Sequence, residues 1–171
     1  MKVQNLLNAA VFSLLVFTVG AEEKSMDDSW VLNPWGGYKP YSKLERSEEG
    51  VHLSKAEGKY GAGLNFRKQI PAKAGDKAVF QAQIKGTGTL LFRTQDYTEK
   101  GKWLSVGSVI ARVQLTPEWK DVCLTVPVKN QKNGNTGRIS GFIAVEKGGE
   151  LWFRNSSITI EKSESDQKET K

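Results

Sequence analysis

The feature that most constrains the fold is a succession of short runs in which apolar and polar residues alternate, separated by clusters of glycine, proline and asparagine. A period of two places apolar side chains on one face of a β-strand and polar ones on the other. No run has the 3.6-residue period of an amphipathic helix. The pattern predicts an all-β chain, an antiparallel β-sandwich whose strand count suits a jelly roll of about nine strands. The runs are 42–46, 51–55, 63–70, 77–85, 89–97, 106–116, 119–128, 138–147 and 150–161.

The alternation also predicts which side chains point away from the core. In the run 77–85, Phe80 and Ile84 alternate with Gln81 and Gln83, and the run 89–97 alternates in the same way. The outward residues of several runs are amides and arginines rather than mainly lysine and glutamate. Because these groups are planar hydrogen-bond donors and acceptors, they match the hydroxyl groups of sugars.

The N-terminal residues 1–21 have the three parts of a secretory signal peptide: Lys2, an apolar core over 6–19, and small residues up to Ala21. A membrane anchor is the alternative, but the apolar stretch is shorter than the ~20 residues that span a bilayer. We therefore predict export, with no membrane insertion after the signal is cleaved. The final compartment, whether periplasm, cell surface or medium, is left open.

The rest of the chain predicts a single domain. Residues 22–29 form a polar lead that we expect to be flexible, 30–162 form the sandwich, and 163–171 form a charged tail that we expect to be disordered. The formal net charge is +6, but the lysines are scattered and form no dense basic run, which argues against nucleic acid as a partner. One cysteine excludes an intramolecular disulfide, and its apolar neighbours predict that Cys123 is a buried, inert thiol.

The sequence lacks the residue sets that most catalytic and metal sites require. The single histidine, His52, has no sequence context that suggests a Ser–His–Asp set, and one histidine with one cysteine argues against a zinc site. Carboxylate pairs occur only in turn-like or charged surroundings, where nothing would shift a pKa. The chain is therefore predicted not to be an enzyme and to need no cofactor, although a structural calcium is left open. The acid pairs are Asp96 with Glu99, Glu118 with Asp121, and Glu146 with Glu150, and the candidate calcium ligands are Asp27, Asp28 and Asp76.

Aromatic residues near the outward amides and arginines suggest a sugar-binding surface. Flat rings stack on the C–H faces of sugars, and a tryptophan in a polar loop is costly to expose without a use. Trp119 and Trp152 are predicted instead to pack at the core or its edge. The predicted carbohydrate-binding residues are Trp35, Tyr38, Tyr60, Asn65, Arg67, Gln83, Arg93, Gln95, Tyr97 and Trp103.

Four segments resemble the jelly-roll carbohydrate-binding modules of the galactose-binding-like superfamily, which are attached to bacterial glycoside hydrolases. They are Trp30-Val31-Leu32-Asn33, the run 78–86, the run 116–122 with its Glu-Trp-Lys, and the closing run 151–160. The resemblance implies a jelly roll that binds glycans. In the last segment Asn155-Ser156-Ser157 stands where the family usually has an acidic pair, so a calcium of the family type would lack those ligands.

These observations predict a secreted, non-catalytic carbohydrate-binding protein whose partner is a polysaccharide or oligosaccharide. Aromatic stacking would hold the sugar, and Gln, Asn and Arg would orient its hydroxyls. The alternative is a structural or protein-interaction domain of the cell envelope, with a protein as partner. A third hypothesis is a small polysaccharide hydrolase or lyase with a jelly-roll fold, which is disfavoured because the sequence shows no set of catalytic residues.

Overall fold

The computed structural model describes residues 26–33, 42–54 and 61–163. Within these ranges a 3-10 turn over Met26–Ser29 precedes twelve β-strands, all paired antiparallel, which confirms the all-β sandwich. The strands are β1 (Trp30–Leu32), β2 (Leu44–Ser47), β3 (Gly50–Leu53), β4 (Ala62–Phe66), β5 (Ile70–Pro71), β6 (Lys77–Thr87), β7 (Thr89–Tyr97), β8 (Trp103–Val106), β9 (Ala111–Gln114), β10 (Lys120–Pro127), β11 (Arg138–Val145) and β12 (Glu150–Glu161).

The strands form two sheets that pack face to face. Sheet A has the order β1-β4-β11-β7-β8, with β5 also paired to β11 and β9 also paired to β7. Sheet B has the order β10-β6-β12-β3-β2. Each sheet contributes the apolar side of its alternating strands to one shared core, as the sequence pattern predicts.

The centre of the core is the fully buried indole of Trp30. Its ring centroid lies 5.2 Å from that of Phe66, 5.8 Å from Phe80 and 6.0 Å from Phe153, so it joins the two sheets through tilted and edge-on contacts. Gly141 in β11 leaves room for this ring, since a Cβ there would lie 3.1 Å from the indole and 2.2 Å from Ile158 Cδ1.

The turn at Gly86–Gly88 carries the chain from sheet B to sheet A. Gly86 has a φ of +146°, and a Cβ at this position would lie 1.9 Å from the carbonyl oxygen of Glu150, so only glycine fits. Because β6 and β7 belong to different sheets, their outward side chains lie on opposite surfaces of the sandwich. The polar residues of these two adjacent strands therefore cannot form one surface.

Strand β12 is interrupted by a bulge that the N-terminal turn holds in place. The register with β6 shifts between Arg154 and Ser157, and Asn155 has a left-handed φ of 53°. The Asp27 carboxylate accepts hydrogen bonds from the backbone N–H groups of Asn155 (2.9 Å) and Ser156 (2.8 Å), and from the Ser156 hydroxyl. That hydroxyl in turn accepts a bond from Trp30 Nε1 at 3.0 Å.

Some expectations for the two chain ends are wrong, and others concern residues that the structure does not describe. Residues 26–29 were expected to be flexible, but they form the 3-10 turn that carries Asp27. Ser163, expected to open a disordered tail, donates its backbone N–H to Asp76 Oδ1 at 3.1 Å. The predicted signal peptide 1–21 and the tail residues 164–171 lie outside the described residues, and they stay predictions. Among the described residues, no helix is long and apolar enough to cross a membrane.

Two expectations within the domain are wrong. The run 106–116 was expected to be one strand, but the chain leaves β7 after Val106 and rejoins it as β9. Gly107 marks the departure, because its N–H bonds to Thr94 O while a Cβ would lie 2.3 Å from Thr94 Oγ1. Cys123 was expected to be buried, but it is exposed, because the alternation of β10 places it beside Gln81 on the outer side of sheet B.

Candidate functional site

The outer surface of sheet A carries polar and aromatic side chains in three cross-strand rows. The first row is Arg138, Tyr97 and Trp103, and the second is Ser140, Gln95 and Val106. The third row is Asn65, Phe142 and Arg93. We call these nine side chains the platform. Three of them, Gln95, Ser140 and Phe142, are buried within it, and the other six are at least partly exposed. The platform extends from Arg93 to Tyr97 along β7, about 13 Å, and it includes five of the residues predicted from the sequence: Asn65, Arg93, Gln95, Tyr97 and Trp103.

A hydrogen-bonded relay fixes three of the platform side chains. Tyr97 donates its hydroxyl to Gln95 Oε1 at 3.1 Å, and Gln95 Nε2 donates to Asn65 Oδ1 at 3.0 Å. The relay crosses β11 above Ser140, whose short side chain bonds to the carbonyl of Phe66 and leaves room for the two amides. The two N–H donors of the Asn65 amide are not used by the relay, so a ligand acceptor can bond to them.

Each arginine of the platform has one contact that positions its guanidinium group. The Arg93 guanidinium lies 4.9 Å from the centroid of the Phe142 ring, and its buried Nε has no hydrogen-bond partner among the described residues. Arg138 donates one N–H to the carbonyl of Gln69 at 3.1 Å. Phe142, Ser140 and Arg138 were missed because the run 138–147 contains so many apolar residues that its alternation is weak.

Trp103 provides the exposed ring of the platform. Its side chain is 57 % exposed, although it is large and apolar, and Val106 on the same strand is 36 % exposed. Trp103 pairs with Tyr97, which places both rings at the same end of the platform. An apolar ring exposed next to fixed amides is the arrangement expected for a ligand that has both C–H faces and hydroxyl groups.

Gln83 lies on the opposite surface of the sandwich, so it is not part of the platform. It accepts a hydrogen bond from Arg154 Nε at 2.9 Å, and the Arg154 guanidinium lies 4.4 Å from the Trp119 ring centroid. Lys85 lies 4.9 Å from the Trp119 centroid and 5.3 Å from that of Trp152. The two tryptophans are half-buried against cations, in line with the packing role predicted for them.

The other predicted residues fall outside the platform. Arg67 follows β4 directly, is exposed, and donates its backbone N–H to Ser29 O at 2.8 Å. Trp35, Tyr38 and Tyr60 lie outside the described residues. An open depression of about 380 Å³ on sheet B, next to Gln83 and Cys123, was not predicted.

The candidate calcium ligands are occupied by N–H and hydroxyl donors. Asp76 is fully buried and accepts bonds from the backbone N–H groups of Lys73 (3.0 Å) and Ser163, and from the Lys162 ammonium (3.1 Å). Burial raises the pKa of Asp76, but these donors outweigh it and hold the pKa below its usual value. Asp27 is engaged at the β12 bulge. No group of three His, Cys, Asp or Glu gathers in the described residues, and calcium stays a prediction.

Asp96 corrects the expectation that no member of the candidate acid pairs has an environment that shifts its pKa. It is 1 % exposed, and burial raises its pKa despite hydrogen bonds from Thr94 and Gln131. Its Oδ1 has no partner among the described residues. However, Asp96 faces the core side of β7, away from the platform, whereas Glu99 is exposed in the following turn. The two acids therefore cannot act together on a ligand at the platform.

The fold defines a class: the jelly-roll β-sandwich, which is also found in carbohydrate-binding modules. A xylan-binding module, CBM15, superposes with a TM-score of 0.50 over 79 % of this chain and 91 % of that one, at 19 % identity. The CBM22-1–GH10 modules of Clostridium thermocellum xylanase 10B, complexed with xylohexaose, give a TM-score of 0.51 at 16 % identity, over 84 % of this chain and 28 % of that one.

Enzymes also contain this fold. The enzymatically active domain of tailspike protein 4 from bacteriophage CBA120 gives a TM-score of 0.52 at 16 % identity, over 79 % of this chain but only 20 % of the tailspike chain. No protein-family model matches the chain, and no curated protein matches its sequence. At these identities the likeness establishes the fold, and the function has to be argued from the platform.

Proposed function

We propose that this chain is an exported, non-catalytic carbohydrate-binding protein that holds a polysaccharide or oligosaccharide on the platform of sheet A. The observation that carries the proposal is the Tyr97–Gln95–Asn65 relay beside the exposed ring of Trp103. A preorganised amide gives directional bonds to hydroxyls, and an exposed ring gives apolar contact area to a sugar face. The carbohydrate-binding modules that share the fold support this reading.

Binding on the platform follows from two contributions. Stacking a sugar ring on Trp103 removes apolar surface of both partners from water, which is favourable by roughly 25 cal/mol per Å². The relay holds the Asn65 amide in one orientation, so little side-chain entropy is lost when a hydroxyl binds to it. The described strands of sheet A place no pair of carboxylates on this surface, so the proposal includes no hydrolysis step.

The same exposed Trp103 and Val106 suit a protein interface, which keeps an envelope interaction domain as the second candidate. The fixed amide relay favours the sugar, because bulk apolar contact with a protein would not need the relay. The two candidates predict different partners for one surface, so binding measurements on purified polysaccharides separate them.

The test measures binding of the purified domain to a panel of plant and microbial polysaccharides by isothermal titration calorimetry. Trp103→Ala and Asn65→Ala are expected to weaken binding about tenfold or more, because each removes a group that contacts the ligand. Gln81→Ala is the control, since Gln81 is exposed on the opposite surface. The proposal is wrong if no polysaccharide binds, or if the platform variants bind as well as the control.

Export is tested separately on the secreted protein. N-terminal sequencing of material from the producing cell's periplasm or medium is expected to give Glu22 as the first residue, which follows cleavage after Ala21. Full-length protein that stays in the membrane fraction would contradict the signal peptide and favour the anchor.

A further inference from the structure

The two outer surfaces of the sandwich differ in charge. The outward positions of sheet A carry Arg93, Arg112 and Arg138, and the one acidic residue in its described strands, Asp96, faces the core. The outward positions of sheet B mix both signs, with the cations Lys77, Lys85 and Arg154 and the carboxylates Glu45, Asp121, Glu150 and Glu161. The positive charge of sheet A is thus not a general property of the surface.

The arginines of sheet A are not neutralised within the described part of the chain. None of the three forms a salt bridge there, whereas Lys85 on the outer side of sheet B pairs with Glu49 at 3.6 Å. The buried Nε of Arg93 has no hydrogen-bond partner among the described residues. The turn beside the platform carries two exposed lysines, Lys100 and Lys102, and one exposed acid, Glu99, so it also has a net positive charge.

The arginines also lie along one diagonal of the sheet. Arg112 is opposite Leu91, two residues from Arg93 and one strand away, which separates their backbones by about 8 Å. Arg138 is opposite Tyr97, four residues from Arg93 and one strand in the other direction, which gives about 14 Å. The diagonal passes Gln95 and Ser140, so the relay lies between the charges.

On the proposed function, we infer that the glycan bound by the platform is acidic and carries carboxylate or sulfate groups. Guanidinium groups bind both anions through pairs of parallel N–H bonds, and the outward positions of the described strands of sheet A carry no carboxylate that would repel them. A polymer with anions at intervals along its length would engage successive arginines of the diagonal, while its hydroxyls bond to the relay and a ring stacks on Trp103. A neutral glycan would offer these guanidinium groups no anion to pair with.

The experiment compares polymers that share a backbone and differ in charge. Polygalacturonate against its fully methyl-esterified form tests carboxylates, and dextran sulfate against dextran tests sulfates, each by calorimetry at 150 mM NaCl. Neutral xylan and mannan complete the panel. In one of the two pairs the acidic member is expected to bind at least about tenfold more tightly than its neutral counterpart, and to lose affinity as NaCl is raised.

Arginine variants separate this site from attraction to the whole protein. Arg93→Gln and Arg138→Gln are each expected to weaken acidic binding about tenfold, whereas Arg154→Gln, which removes the same charge from the opposite surface, is expected to leave it unchanged. Thermal unfolding checks that each variant is folded. Arg93→Lys keeps the charge but not the planar group, so an intermediate affinity is expected.

These experiments distinguish a failure of the inference about acidic glycans from a failure of the proposed function. If the tightest ligand of the panel is neutral, or if Arg154→Gln weakens acidic binding as much as Arg93→Gln does, the inference is wrong although a glycan-binding function stands. If no member of the panel binds, the proposed function itself fails.

Discussion

Replacing Asp27 with alanine should destabilise the domain more than any other change to a single side chain of the N-terminal turn. The Asp27 carboxylate accepts two backbone N–H bonds at the β12 bulge and one from the Ser156 hydroxyl, which also receives the Trp30 indole N–H. Alanine would leave Ser156, which is 4 % exposed, without that acceptor. The perturbation therefore reaches the central tryptophan of the core through one hydroxyl.

The magnitude follows from which donors water can reach. A hydrogen bond to a charged acceptor contributes about 1.5–3 kcal/mol, and a buried donor that loses its partner bears the full penalty. The Asn155 N–H is exposed and can bond to water instead, so losing its bond to Asp27 costs little. The Ser156 N–H is partly buried, so losing its bond costs more. We expect the free energy of unfolding to fall by about 2–4 kcal/mol, which lowers the melting temperature by roughly 6–15 °C for a domain of this size.

Calorimetric melting and urea titration of the wild type and of two comparison variants provide the assay. Asp28→Ala is the control, because the neighbouring Asp28 forms only an exposed ion pair with Arg46 at 3.5 Å, worth less than about 1 kcal/mol. Asp27→Asn keeps one acceptor oxygen and should lie between the two. If Asp27→Ala is no less stable than Asp28→Ala, the turn does not hold the bulge and the reasoning is refuted.

Two further changes test the interior. Burial raises the pKa of Asp96, so the wild type should lose stability as pH rises from about 4 through that pKa, and Asp96→Asn should not. Urea unfolding at several pH values checks this, and parallel curves for the two proteins would contradict it. Gly141→Ala should reduce stability by about 1–3 kcal/mol, because its Cβ would lie 2.2 Å from Ile158 Cδ1 and close to Trp30. An unchanged melting temperature would show that Ile158 moves aside freely.

The sequence predicted the faces of the longer strands well because alternation is a local property. In β6, Phe80 and Ile84 are buried while Gln81 is exposed, and β7 follows the same rule with Leu90 and Phe92. Both strands pair along most of their length, so nothing overrides the period of two. The apolar pattern was sufficient to predict the sandwich for the same reason.

Alternation states whether a side chain faces in or out, but not which sheet it belongs to. Gln83 and Gln95 were grouped because both face outward, yet the Gly86–Gly88 crossover puts them on opposite surfaces. The apolar neighbours of Cys123 predict a buried thiol, although the period of β10 places it outward. The pairing of strands that are distant in sequence decides which surface a side chain lies on, and a local sequence pattern does not specify that pairing.

The relay of the platform was equally hidden. Gln95 and Asn65 are 30 positions apart, and β11 lies between their strands. Their hydrogen bond therefore depends on the strand order β4-β11-β7 and on the small Ser140 between them. The sequence indicated the residue types of the platform, because amides and aromatics are visible by composition. Their mutual geometry became visible only in the folded sheet.

The exposed Cys123 gives the domain a built-in point of attachment. It is the only cysteine in the chain, and it lies on sheet B, on the surface opposite the arginines and Trp103. A maleimide dye, biotin or bead coupled there would label every molecule once and orient the platform outward. The domain could thus be made into a staining or capture reagent without introducing a mutation.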